Sequence, residues 1–260
     1  MRLALLVHAA SSATAPLDAR TLEARLGDPD AGFLVVSMPA HDDIGLGIPR
    51  ALSGTRAGAA LLVHVGAEIA RGPTGAVELV GAAQSVRFDE LRAAMVSVAP
   101  SEALLVVDGV HRGCGSEEDP FESLEIAAAV ARAMAPATSG IATLVVLRRP
   151  HAEPFAPLWL EAMAAAAQAS EGTATLSATY EALREDERVH QRVTALAFTE
   201  GARDLVLLRP APPPRAAFAS MPDADETFAE ANRLLEEGKL DAVLDAQKRV
   251  LLLVGDDAGR

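Results

Sequence analysis

Six short apolar runs punctuate the chain: LALLVHA, GFLVVSM, AALLVHV, ALLVVDG, ATLVVLR and DLVLLRP. Most are continuous rather than alternating, the pattern of strands buried on both faces of a sheet. Helical patterns lie between them. LDARTLEARL brings Leu17, Leu22 and Leu26 near one face, FDELRAAMVSVA precedes the fourth run, and FESLEIAAAVARAM and FAPLWLEAMAAAAQ are long and rich in helix formers. Alternation of strand and helix predicts an α/β domain, a three-layer α/β/α arrangement around a mostly parallel six-stranded sheet. In such sheets ligands and reactive groups gather at the carboxyl ends of the strands, so the segments following His64 and Val107 are the places to look for chemistry.

The pattern changes at RPAPPPRAAFASMPDAD, a proline-rich stretch that reads as a stiff linker. Beyond it, ETFAEANRLLEEGKLDAVLDAQKRVLLLVGDD predicts two amphipathic helices joined near Gly238, similar to a single tetratricopeptide-type hairpin. The expected organisation is a domain over residues 1–210, a linker over 211–224 and a helical hairpin over 225–260.

Composition narrows the functional classes. Half of the 260 residues are apolar, so a sizeable core is available. A net charge of −13 with no basic patch disfavours nucleic acid and suits a protein partner. No apolar run approaches the roughly 20 residues of a membrane helix. The opening MRLALLVHAASSATA has the look of a signal peptide, but its short apolar stretch suits a buried strand better. A single cysteine, Cys114, excludes an intramolecular disulfide and fits a reducing cytoplasm.

The order of pieces resembles the caspase-like peptidases, in particular the bacterial members. RLALLVHA is similar to their first strand and LGDPDAGFLVV to a stretch common in them. LLVHVGAE is similar to the strand entering their Gly-His-Gly motif, with GAVELVG after it. LLVVDGVHRG matches the strand ending in Asp-Ala-Cys-His-Ser-Gly, LVVLRRPHAEPF a later strand end, GTATLSATYEAL a helix start and RDLVLLRPAP a last strand. The resemblance spans about residues 1–210 and implies the caspase-like fold. It also implies a catalytic histidine–cysteine pair, in which the thiolate attacks the scissile carbonyl and the imidazole moves the protons. Laid on this chain, the histidine position is Ala67 and the cysteine position is Val110. Alanine accepts no proton and valine attacks no carbonyl. The expectation is therefore a catalytically inactive pseudo-peptidase that acts by binding a protein partner, a protease or a signalling component, without a cofactor.

The alternative is an active peptidase with displaced residues, Cys114 as nucleophile and His64 or His111 as base. Asp108 survives from the motif; the resemblance implies that, with His111, it lines a residual pocket for a basic side chain. Arg148 and Arg149 close another strand end and are candidates to pair with Asp108 or Glu68 at the surface. Asp119 and Pro120 suit the cap and first position of a helix. HAEPF and HDD have no second cluster at zinc spacing, so no metal site is expected.

Overall fold

The computed structural model describes residues 1–8, 15–38, 44–81, 84–111, 120–135, 140–149, 152, 155–201 and 204–210. The chain divides into two units, Met1–Ala211 and Pro212–Arg260, and the described residues lie in the first. The linker, the helical hairpin, Cys114, Asp119 and the HDD segment lie outside the described residues.

The apolar runs become strands. They are β1 (Arg2–His8), β2 (Leu34–Met38), β3 (Ala60–Arg71), β6 (Glu102–His111) and β7 (Ile141–Arg148), with the short β4 (Val77–Val80) and β5 (Val86–Arg87) between β3 and β6. The main sheet runs β2-β1-β3-β6-β7-β9. Its first five strands are parallel, and β9 (Val193–Thr199) closes the far edge antiparallel to β7. All eight residues of β7 are buried, including Thr143 and Arg148 in its otherwise apolar sequence.

Helices cover both faces. On one side α2 (Ile44–Leu52), α3 (Phe88–Ser97) and α4 (Pro120–Met134) insert Ile44, Ile48, Phe88, Leu91, Ile126 and Val130 against Leu5, Val63, Val65 and Val107. On the other, α1 (Ala15–Gly27), α5 (Ala156–Ala169) and α6 (Leu176–Glu185) bury Leu22, Leu26, Trp159, Met163 and Leu183 against Leu6, Leu62, Val106 and Val146. The architecture is a three-layer α/β/α fold with a mostly parallel sheet. None of the described helices is long and apolar enough to cross a membrane.

Two expectations are corrected. The sixth strand of the sheet is VTALAFT, not DLVLLRP. The latter contributes β10 (Val206–Leu208), which pairs with β8 (Ala174–Thr175) in a separate two-stranded ribbon. In addition, β3 and β6 do not end at His64 and Val107. They run on to Arg71 and His111, so Ala67, Asp108 and Val110 are strand residues. Past the end of β1, β3 exchanges its parallel neighbour for the antiparallel β4, Glu68 pairing with Val80 and Arg71 with Val77.

Candidate functional site at the carboxyl ends of the strands

Strand pleating decides which side chains share a face. In β3, Val63, Val65, Ala67 and Ile69 point into the core beneath α2–α4, so His64, Gly66 and Glu68 point the other way, toward α5. The register sets Gly66 beside Asp108, Ala67 beside Gly109 and Glu68 beside Val110. Hence Ala67 lies in the α2–α4 core while Val110 shares the opposite face with Asp108. The two positions stand on adjacent strands one register step apart, but their side chains do not face each other, as those of a reacting pair must.

Asp108 and His111 are separated by the same rule. Asp108 belongs to the α5 side. His111, opposite Ile69, belongs to the α2–α4 side, where its Nε2 lies 3.8 Å from the Glu122 carboxylate. They form no common pocket. Nor is Asp108 an open anionic site: it is buried, and the Arg148 Nε–H donates to its Oδ1. Arg148 is itself buried and also donates from Nη1 to the Ala152 carbonyl at 3.4 Å. The pairing of Arg148 with Asp108 thus forms inside the domain, not at the surface. Burial pushes the Asp108 carboxyl up, and the adjacent guanidinium opposes that shift.

Two residues unforeseen from sequence complete the cluster. His8, at the end of β1, is buried with its ring centroid 5.4 Å from that of His64. On its other side His64 stacks on Trp159 of α5 at 6.0 Å. Gly66 leaves room for the His8 ring, since a Cβ at that position would stand 3.0 Å from His8 Nδ1. Within this stack His8 Nε2, both His64 ring nitrogens and Trp159 Nε1 are buried without a hydrogen-bond partner. Burial accordingly holds both imidazoles neutral. His8 is pushed down to about 4, and His64 is lowered well below the ordinary imidazole value, first by burial and then by its proximity to His8 and Arg148. A fully enclosed, neutral His64 has no path to solvent and is poorly placed as the base of a displaced pair. Among the described residues no group of three His, Cys, Asp or Glu is arranged to hold a metal ion.

The cluster was partly legible in advance. LALLVHA and AALLVHV share Leu-Leu-Val-His, and in parallel strands buried on both faces two such histidines converge at one end of the sheet.

No family model and no curated protein matches the chain. Its fold is similar to that in the crystal structure of protein GSU0716 from Geobacter sulfurreducens, with a TM-score of 0.52 at 14% identity over 80% of this chain and 97% of the other, a likeness of fold alone.

Proposed function

We propose that the protein is a catalytically inactive caspase-like pseudo-peptidase that works in the cytoplasm by binding a protein partner, as a regulatory or scaffold component. One observation carries the inactive part of this reading. Where the resemblance calls for base and nucleophile, the chain holds Ala67 and Val110, which can neither accept a proton nor attack a carbonyl. The motif aspartate between them is already satisfied by Arg148, so a basic peptide side chain meets no free carboxylate there. The mostly parallel order of the main sheet supports the fold part of the proposal. The net charge of −13 favours a protein over a nucleic-acid partner.

The test is peptidase activity of the full chain against peptides with arginine, lysine or aspartate before the scissile bond, with and without calcium. No cleavage is expected. Cys114 should alkylate at the rate of an ordinary thiol, without the acceleration of a thiolate held near neutral pH. Cleavage by the wild type that is abolished in Cys114→Ala would overturn the proposal in favour of a displaced peptidase.

A further inference from the structure

The ionisable groups enclosed in this domain are unevenly divided between its two helical layers. On the α5 side lie His8, His64 and the Asp108–Arg148 pair, all buried. On the α2–α4 side the buried ionisable side chain among the described residues is His111 alone, and it faces the Glu122 carboxylate. A proton therefore acts in opposite senses on the two sides. On His111 it creates an imidazolium beside an anion. On His8 or His64 it places a charge in a stack closed by the uncharged Trp159. The groups around that stack do little to receive the charge. Asp108 of β6 is engaged by Arg148 of β7, whose guanidinium adds positive charge near His64. Glu68 of β3 points to the same side and is half-buried, yet burial still holds both imidazoles down. The described part of α1 turns Leu22 and Leu26 inward and commits Arg25 to Asp28 and Asp30.

We propose that the His8–His64–Trp159 stack is an acid-operated latch between α5 and the sheet: proton uptake by the two histidines frees α5 while the α2–α4 layer stays packed. Opening breaks no hydrogen bond within the stack, because His8 Nε2, both His64 nitrogens and Trp159 Nε1 have no partner to lose; each gains water instead. His8 stands at the very end of β1 and is 5% exposed, whereas His64 is wholly enclosed, so His8 takes the first proton and His64 is reached as α5 lifts. In the open form each imidazole returns to its ordinary value of 6.5. At pH 5 each then favours opening by up to about thirtyfold, and the two together by up to about a thousandfold. Asp108, pushed up by burial, binds its proton better in the closed form and opposes the opening.

Hydrogen exchange of the full chain at pH 7.5 and 5, corrected for the intrinsic pH dependence of amide exchange, reads both layers. Protection across Ala156–Ala169 of α5 is expected to fall at least about tenfold, and that across Phe88–Ser97 of α3 to change less than about threefold. Trp159 is the only tryptophan, so its emission should move to the red over the same interval, before the helical circular-dichroism signal is lost. His64→Leu should leave only the part of the response due to His8. His8→Leu combined with His64→Leu should hold α5 protection within about threefold between the two pH values. Loss of protection in both layers together, an α5 indifferent to pH, or an acid response undiminished in His64→Leu and in the double variant would overturn the proposal.

Discussion

Removing Arg148 should be among the most damaging single changes in this domain, and its cost should depend on pH in a calculable way. Asp108 is 2% exposed and Arg148 6% exposed. In Arg148→Met the carboxylate loses its partner while remaining enclosed. Burial already pushes the Asp108 pKa up against the opposing guanidinium, so without Arg148 it climbs further and the folded protein keeps the carboxyl protonated. The unfolded chain titrates at the ordinary value of 3.8. Protonating such a group at pH 7 spans roughly 3 pH units at about 1.36 kcal/mol each, so the ceiling is about 4 kcal/mol. That agrees with the roughly 3–5 kcal/mol typical of breaking a buried pair from one side. The sign follows from proton counts: above pH 3.8 the folded variant binds one proton more than the unfolded chain, so its stability falls as pH rises. At pH 5.5 the penalty should shrink to about 2 kcal/mol. Urea unfolding of wild type and Arg148→Met at pH 5.5 and 7 measures it. Asp108→Leu combined with Arg148→Met should recover most of the loss, since a buried pair replaced by apolar groups is often near neutral. A single variant costing under about 1 kcal/mol with no pH dependence would refute the enclosure of this pair.

Two further outcomes follow from the same cluster. His64→Leu removes two buried ring nitrogens that have no partner, so thermal unfolding at pH 7 should show stability unchanged or raised by about 1 kcal/mol. Because His8 is pushed down to about 4 and His64 is lowered as well, both bind protons more readily when unfolded. Their contribution is present above about pH 6.5 and is lost as pH falls, by up to about 1.4 kcal/mol per unit for each histidine. The double His8→Leu, His64→Leu variant should flatten a stability profile measured from pH 7.5 to 5. Finally, Ala67→His with Val110→Cys should restore no peptide cleavage, because the two side chains leave the sheet on opposite faces; cleavage by this variant would show that the strand ends rearrange.

The buried strands were legible because a parallel strand covered on both faces must have an apolar central run, and β1, β3, β6 and β7 do. β9 escaped for the converse reason. It is an edge strand with five half-buried positions out of seven, so VTALAFT carries a weaker signal than the more apolar DLVLLRP that follows it. The helix over Ile44–Leu52 was also missed, since two glycines and an internal proline hide it. Tertiary packing overrides that poor propensity: Ile44, Ile48 and Leu52 recur every fourth residue and all reach the core. At the site, Asp108, His64 and Arg148 were visible as candidates. What sequence did not convey was pleat parity, which assigns Ala67 and His111 to one side and His64, Asp108 and Val110 to the other. A one-residue difference decides that assignment, and it depends on how far β3 and β6 extend.

The position of β9 also governs the order in which this chain becomes safe during synthesis. β1 lies inside the sheet between β2 and β3, so its pairing is complete once residues to about Arg71 are available. β7 is in a different situation: every side chain in it is buried, yet one of its backbone edges stays open until Val193–Thr199 has been made. For the intervening 44 residues of translation, roughly 2 to 9 seconds at about 5–20 residues per second, the nascent domain presents its most apolar strand as an unpaired ladder. A ribosome stalled between α5 and β9 therefore leaves an open strand edge that one stalled after β9 does not. In this fold the antiparallel closing strand acts as a cap on the folding intermediate as much as a part of the finished sheet.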